Sequence, residues 1–202
     1  MRVIAHSIGN LKEARKALKI GVDFLEIDVS KRILLPKFVI QHSVIKGIFG
    51  VGPILASLLI PNVRDKLFLD LKRASFSLSF ASKFAHLLSN FKIKGVRICG
   101  TNWLIISRLC KGNNLLPFYT LRNKKSIEKI RKILPSLKKP AGFSVHYKLI
   151  TKEFLEEFKN DQVEIWSWTV NDLETAKQLI KLGVDGIISD NYALLLEKLK
   201  PD

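Results

Sequence analysis

The chain has 202 residues, which suffices for one domain but leaves little room for a second. Hydrophobic residues make up 47% and charged residues 26%, a composition that excludes a disordered chain and suits a globular protein with a sizeable core. Lys and Arg outnumber Asp and Glu by 34 to 18, which gives a net charge of +16. This excess favours anionic partners such as a phosphorylated substrate or an acidic membrane surface, although scattered lysines also simply solvate a surface. Because no nucleic-acid-binding motif occurs, no nucleic acid partner is expected.

The two cysteines, Cys99 and Cys110, form no CxxC motif and lie in apolar stretches, so we expect buried thiols. The start of the chain, MRVIAHSIGN, lacks an apolar stretch of signal-peptide length, and a cytoplasmic protein is expected. Residues 44–61 are almost wholly apolar, but they include a lysine, three glycines and Pro53 and barely approach the length of a membrane span. We expect a loop and a short apolar helix there, buried or interfacial.

Strand-like apolar runs alternate with helical patterns along nearly the whole chain. The runs predicted as strands are 2–6, 23–28, 66–71, 94–99, 115–120, 141–145, 163–168 and 185–189. The stretches predicted as helices are 10–20, 74–90, 101–111, 123–138, 151–160, 171–182 and 191–199. Helix starts are expected at Asn123, Thr151 and Asn171, and Gly183 is expected to end the helix that starts at Asn171.

The alternation of strands and helices with short links predicts a parallel sheet covered by helices. Eight such strands favour a closed (β/α)₈ barrel, the TIM barrel of the α/β class, over an open doubly wound sheet. A ninth strand-like run, 37–42, is expected to pair with the second strand as a short hairpin extension. Since 202 residues lie at the lower end for this barrel, residues 1–202 are expected to form a single domain.

Two of the four histidines fall at the ends of predicted strands, where the active site of such a barrel lies. His6 ends the first strand and His42 ends the extra run, and both stand near acidic residues of the neighbouring strands. This placement favours general acid–base roles, with a hydrogen-bonded structural imidazole as the alternative for each. His146, just after the sixth strand, is an open candidate, and mid-helix His86 is assigned to structure.

Three carboxylates lie at the ends of two neighbouring strands. Glu26 and Asp28 are two residues apart and therefore point to the same side of the second strand, and Asp70 ends the third. Burying three such groups together is costly without a compensating cation. A hard divalent ion such as Mg²⁺ or Ca²⁺ takes oxygen ligands of this kind, so a divalent metal site is predicted on these residues.

Six stretches carry a resemblance to a known family. In chain order they read IAHSIGN-LKEA, GVDFLEIDVS, FVIQHS, LFLDLK, VEIWSWTVN and GVDGIISDN. Their order and approximate spacing resemble the glycerophosphodiester phosphodiesterase family along essentially the whole chain. The resemblance implies a TIM barrel, in agreement with the strand count.

The resemblance also implies roles for individual residues. It implies that His6 and His42 are the catalytic acid and base and that Glu26, Asp28 and Asp70 hold the metal. It implies that the substrate-binding residues are Asn10, Lys72 at the phosphate, Trp168 at the alcohol group, and Ser7, which stands where the family has a phosphate-binding Arg. Two further departures are Asp70 in place of Glu and Ser43 in place of Asp.

The activity that this resemblance implies is metal-dependent hydrolysis of a small-molecule or lipid phosphodiester, releasing an alcohol. Glycerophosphodiesters and lysophospholipids are the expected substrates, and peripheral contact with an anionic inner membrane face is a further expectation. The loss of the Arg at position 7 motivates an alternative, a catalytically impaired barrel that binds anions or lipids. A barrel enzyme acting on other phosphorylated metabolites is a third possibility, disfavoured by the two histidines and by the WTVN motif at 168–171.

Overall fold

Nine β-strands run through the residues that the structure, a computed structural model, describes: 1–31, 38–41, 52–72, 78–93 and 95–199. The strands are β1 Arg2–Ala5, β2 Phe24–Lys31, β3 Phe38–Ile40, β4 Leu67–Leu71, β5 Arg97–Gly100, β6 Leu116–Leu121, β7 Gly142–His146, β8 Glu164–Trp168 and β9 Gly186–Ser189. All eight predicted barrel strands are present, with ends shifted by a few residues.

Eight of these strands close into a parallel barrel. The order is β1-β9-β8-β7-β6-β5-β4-β2, and an additional pairing of β1 with β2 closes the ring. In that closure Ile4 lies opposite Phe24 on one side and opposite Ile188 on the other. The ninth strand, β3, pairs antiparallel with β2 outside the ring, with Ser30 opposite Val39. The predicted TIM barrel and its extra strand are both confirmed.

Seven α-helices occur in the same described ranges. They are α1 Leu11–Ile20, α2 Leu78–Asn90, α3 Trp103–Cys110, α4 Lys124–Ile133, α5 Lys152–Phe158, α6 Leu173–Leu182 and α7 Tyr192–Leu199. Short 3₁₀ helices cover Leu55–Leu58, Arg64–Lys66, Leu134–Ser136 and Tyr147–Leu149. The first of them lies in the apolar stretch 44–61, of which residues 44–51 fall outside the described residues. None of the described helices is long and apolar enough to cross a membrane.

The helix ends follow the predicted caps with one correction. The side chains of Asn123 and Thr151 accept hydrogen bonds from the backbone three residues on, as expected. Gly183 ends α6 in the left-handed conformation, with φ of 104°. The predicted start of α6 at Asn171 is wrong, because the capping side chain is that of Asp172. Asn171 is not available as a cap, since its side chain is bonded to the end of β9.

Large aromatic side chains fill the inside of the barrel. The rings of Phe68, Phe118 and Trp166 contact one another with centroids 4.8–5.3 Å apart. Gly142 makes room for them, because a Cβ there would meet the Phe118 ring and lie 2.5 Å from the carbonyl oxygen of Glu164. The predicted buried thiols are confirmed, since Cys99 belongs to this interior cluster and Cys110 is buried outside it. Above this filled interior, the residues at the carboxyl ends of the strands surround a pocket.

Candidate active site

A pocket of about 200 Å³ opens at the carboxyl ends of the barrel strands. Its wall combines acidic, basic and aromatic side chains above the aromatic interior. The lining residues are His6, Glu26, Phe68, Asp70, Lys72, Cys99, Thr120, Arg122, Ser144, Trp168, Thr169 and Ile188. Five of the site residues predicted from the sequence line this pocket, namely His6, Glu26, Asp70, Lys72 and Trp168.

The three predicted metal ligands come together on one side of this pocket. Glu26 and Asp28 project from β2 and Asp70 from β4, where Asp28 and Asp70 are register partners. One oxygen from each carboxylate lies within 4.8 Å of the others. Burial raises the pKa of Glu26 well above its ordinary value, and the negative charges of Asp28 and Asp70 raise it further. The cluster therefore needs positive charge.

Lys72 supplies part of that charge. Its ammonium contacts the carboxylate of Asp28 and lies 2.6 Å from Oδ2 of Asp70. Burial acts to lower the pKa of Lys72, but the charges of Asp70, Asp28 and Glu26 outweigh it and hold that pKa above its ordinary value. Three carboxylates and one ammonium leave a formal charge of −2 when all are ionised. Oxygen donors at this spacing, with this charge, fit a hard divalent cation.

Ser7 faces the acids rather than the open pocket. Its backbone N–H donates to Oε2 of Glu26 at 2.7 Å, and its hydroxyl donates to Oδ2 of Asp28 at 3.3 Å. The backbone adopts φ of 53°, a left-handed conformation that a non-glycine residue adopts rarely and at some cost. Ser7 thus holds two carboxylates in place and brings no positive charge to the pocket.

His6 is oriented by a carboxylate from the other end of the chain. Its Nδ1 lies 2.7 Å from Oδ1 of Asp190, and its Nε2 lies 4.0 Å from Oε2 of Glu26. Because an ionised carboxylate only accepts hydrogen bonds, this contact assigns the proton of the neutral ring to Nδ1. The other nitrogen, Nε2, is then the basic atom and faces the acidic cluster.

Asn171 in turn orients Asp190. The Asn171 amide donates to Oδ2 of Asp190 at 2.7 Å, and its side-chain oxygen accepts from the Asp190 backbone at 2.9 Å and from the Ser189 hydroxyl at 3.1 Å. Neither Asn171 nor Asp190 was predicted as a site residue. Both follow predicted barrel strands within three residues and stand in the two closing stretches of the family resemblance, and that position was the signal available for finding them.

The opposite wall of the pocket is built from β6 to β8. Arg122 follows β6, and its guanidinium carbon lies 5.8 Å from the centre of the Trp168 ring. The Thr120 hydroxyl oxygen and the Trp168 indole nitrogen are buried without a hydrogen-bond partner among the described residues. The His146 ring packs edge-on against Trp168 at 5.2 Å and is not among the pocket-lining residues. Sequence reasoning missed Arg122, although its place at a strand end could have indicated it.

Two other predicted site residues are His42 and Asn10. His42, like Ser43, lies outside the described residues. Gln41, which precedes His42 in the chain, donates its backbone N–H to the carbonyl oxygen of Asp28 at 2.9 Å. Asn10 caps α1, its side-chain oxygen accepting from the Glu13 backbone at 3.0 Å, and it does not line the pocket. The roles of His42 in catalysis and of Asn10 in substrate binding therefore stay predictions.

Comparison with protein families matches residues 71–194 to the glycerophosphoryl diester phosphodiesterase family. Among curated proteins, a glycerophosphodiester phosphodiesterase from Caldanaerobacter subterraneus subsp. tengcongensis is 36% identical over 61 residues. That aligned region is 29% of this chain and spans only 25% of the relative's own length.

Similar solved structures cover nearly the whole chain. A phosphodiesterase from Oleispira antarctica, determined in complex with the product sn-glycerol-3-phosphate, has a TM-score of 0.78 at 16% identity and covers 98% of this chain and 96% of its own. A glycerophosphodiester phosphodiesterase from Parabacteroides distasonis has a TM-score of 0.76 at 18% identity, with the same coverage of 98% and 96%. At these identities the likeness shows a shared fold.

Proposed function

Because the chain belongs to the glycerophosphoryl diester phosphodiesterase family, we propose that it hydrolyses glycerophosphodiesters and releases an alcohol. The observation that carries the proposal is the arrangement of one pocket: His6, the three carboxylates and Lys72 lie together at the carboxyl end of the barrel. A general base beside a cluster of hard oxygen ligands suits hydrolysis of a phosphodiester.

Glu26, Asp28 and Asp70 are the residues that would hold the divalent ion, Mg²⁺ or Ca²⁺. Bound there, such an ion supplies Lewis acidity that stabilises negative charge on the phosphate oxygens. Lys72, whose ammonium contacts Asp28 and Asp70, would add its positive charge beside a phosphate oxygen held at this cluster. Ser7 keeps the carboxylates oriented through its two hydrogen bonds.

His6 moves the proton. Nε2 accepts a proton from the attacking hydroxyl, which belongs to water or to a neighbouring hydroxyl of the substrate, as the new bond to phosphorus forms. Asp190 stabilises the positive ring that results, through its contact with Nδ1. His42, by the family resemblance, would donate a proton to the leaving alcohol as its bond to phosphorus breaks. Trp168 would pack against that alcohol.

The described part of the apolar stretch 44–61 bears on the choice of substrate. Leu55, Leu58 and Leu59 are 0–2% exposed and therefore belong to the core. Among residues 52–61, Ile54 is the one exposed large apolar side chain, at 39%. This packing favours glycerophosphodiesters over lysophospholipids, and contact with an anionic membrane stays a prediction.

The test is hydrolysis of glycerophosphocholine and of lysophosphatidylcholine in the presence of Mg²⁺ or Ca²⁺. We expect turnover of the first substrate and a loss of about 10²–10⁴-fold in kcat for His6→Ala, the range that general acid–base catalysis contributes. His86→Ala, which changes a histidine of α2 away from the pocket, is the matched control and should keep the wild-type rate.

Equal rates for wild type and His6→Ala would contradict the assignment of the base. A complete absence of turnover with retained affinity for phosphate esters would instead favour the alternative function, a barrel that binds anions or lipids. The departure that motivates this alternative is Ser7, which brings no cation to the phosphate.

A further inference from the structure

The pocket is electrostatically uneven. The acidic side chains that line it or stand beside it belong to β2, β4 and the end of β9, and the one lysine among the lining residues is engaged by Asp28 and Asp70. The wall from β6 to β8 contributes no carboxylate to the described lining. A phosphate group placed against the acidic wall would therefore meet positive charge there only from Lys72 and a bound metal, and any further cation must come from the opposite side.

Arg122 is the cation of that opposite wall. It is exposed at the mouth, directly after β6, and its guanidinium lies against the Trp168 ring at 5.8 Å. Within the described part of the chain, no ion pair or side-chain hydrogen bond engages this guanidinium, whereas the Lys72 ammonium contacts two carboxylates. Arg122 therefore has its hydrogen-bond donors open to a ligand in the pocket.

Thr120 reinforces the same wall. Side chains alternate along a strand, so residues 118, 120 and 122 share one face of β6. Phe118 lies in the aromatic interior, and both Thr120 and Arg122 line the pocket above it. Thr120 is only 4% exposed, and its hydroxyl has no nitrogen or oxygen partner among the described residues, its polar neighbour being the Cys99 thiol. Because a thiol is a weak hydrogen-bond partner, the Thr120 hydroxyl retains hydrogen-bonding capacity for a ligand oxygen.

We propose that Arg122, assisted by Thr120, is a substrate-binding cation that holds the phosphate oxygens from the wall opposite the acidic cluster. A guanidinium presents two parallel N–H donors to two oxygens of a phosphate, which a single ammonium cannot do. Arg122 reaches the mouth from β6, whereas Ser7 beside β1 faces Asp28 and offers no cation. The inference rests on the proposed phosphodiester substrate, but it concerns binding rather than turnover.

The experiment measures the affinity of the full-length protein for sn-glycerol-3-phosphate by calorimetry, with Mg²⁺ present. Arg122→Gln should weaken binding by about 10- to 100-fold, the range expected when hydrogen bonds to a charged group are lost. Arg122→Lys keeps the charge but not the two-donor geometry and should fall between Gln and wild type. Lys125→Gln removes the same charge from the outer helix α4 and serves as the matched control.

The inference is overturned if Arg122→Gln and Lys125→Gln bind sn-glycerol-3-phosphate with affinities within about twofold of each other. A twofold loss of affinity is smaller than the loss expected from removing one hydrogen bond to a charged group. In the hydrolysis assay, Arg122→Gln should raise KM with a smaller effect on kcat, as expected for a group that binds substrate and transition state alike.

The two proposals fail separately. Absence of turnover in the wild type, together with weakened sn-glycerol-3-phosphate binding by Arg122→Gln, would sink the proposed hydrolysis and leave the phosphate contact standing. Metal-dependent turnover in the wild type, together with unchanged sn-glycerol-3-phosphate affinity in Arg122→Gln, would support the proposed hydrolysis and overturn the role of Arg122.

Discussion

At His6, the reacting group and the group that orients it come from opposite ends of the chain. His6 and Asp190 are separated by 184 positions, and they meet because β9 pairs with β1 to close the barrel. Asn171 then fixes Asp190, because its amide donates to Oδ2 of Asp190 and its side-chain oxygen accepts from the Asp190 backbone N–H. Asp190 is therefore a positioning residue, since it acts on the substrate only through His6.

Replacing Asp190 by Asn removes the negative charge beside the imidazole while keeping its shape. We expect Asp190→Asn to lower kcat by about tenfold or more, less than the 10²–10⁴-fold contribution of the base itself, with KM nearly unchanged. Steady-state kinetics of the two proteins measures both parameters.

The exposed turn residue Asp161, changed to Asn, is the control for this measurement. A variant Asp190→Asn with the wild-type kcat would show that the contact with His6 has no part in the reaction.

In the segment that joins β8 to α6, the neighbouring residues Asn171 and Asp172 have different roles. Asp172 caps the helix by accepting from the Thr175 backbone at 2.8 Å, and this hydrogen bond lowers the pKa of its carboxyl. Asn171, one residue earlier, turns its side chain to the end of β9. In this segment Asp172 therefore stabilises helix α6, whereas Asn171 fixes the geometry of the site.

Single substitutions should separate these tasks. Asp172→Ala should lower Tm with kcat unchanged, whereas Asn171→Ala should lower kcat because Asp190 loses its amide partner. Since the folded pKa of Asp172 is depressed, its stabilising contribution is present above the ordinary Asp range and is lost as pH falls through the folded value. The Tm difference between wild type and Asp172→Ala should therefore shrink in acid, and a difference that grows would refute the capping role.

Strand β7 must approach the aromatic interior closely at Gly142. A methyl group there would meet the Phe118 ring and the Glu164 carbonyl oxygen. Gly142→Ala should therefore lower the free energy of unfolding by about 1–3 kcal/mol, the usual cost of overpacking a core. Urea denaturation measures it, and Gly9→Ala is the control because its Cβ would meet only the mobile end of Glu13 at 3.2 Å. Equal stability of wild type and Gly142→Ala would mean that the barrel interior can accommodate the added methyl group without strain.

On the scale of the whole molecule, the fold could be predicted from the sequence because its signal is periodic and local. Eight apolar runs separated by helical patterns specify a barrel, and the family match confirms the family resemblance. The acidic cluster was predictable too, because Glu26 and Asp28 share one strand face and Asp70 ends the next barrel strand.

The rest of the site depends on closure of the ring, which local patterns do not encode. The contact of Asp190 with His6 requires β9 beside β1, and the placement of Arg122 near Trp168 requires β6 and β8 to share one mouth. The engagement of Lys72 by Asp28 depends likewise on the pairing of β4 with β2. A capping preference was misleading at Asn171, because its tertiary hydrogen bonds replace the local one.

The packed interior also predicts how the whole molecule responds to alkali. Burial raises the pKa of the Cys110 thiol from 9.0 to about 12 and that of the Tyr119 phenol from 10.0 to about 12. Both groups are neutral in the folded state and ionise first in the unfolded chain. Their stabilising contribution is therefore full below pH 9 and is lost as pH rises toward 12.

The free energy of unfolding, measured by denaturant titration, should fall steadily over that range. The double variant Tyr119→Phe/Cys110→Ala should show a shallower fall than wild type, even though its stability at neutral pH is lower because the phenol loses its hydrogen bond to the Lys138 carbonyl. Parallel alkaline slopes in the two proteins would argue that these two groups do not govern the response.

The proposed hydrolysis requires a divalent ion held by Glu26, Asp28 and Asp70. This requirement is tested by the initial rate of sn-glycerol-3-phosphate release from glycerophosphocholine, measured against the concentration of added Mg²⁺ or Ca²⁺ in metal-depleted wild type and Asp28→Asn. We expect a saturable, ion-dependent rate in the wild type and a loss of rate in Asp28→Asn that higher ion concentrations only partly restore. A rate that is independent of added ion and of the charge at position 28 would show that the three carboxylates hold no ion needed for hydrolysis.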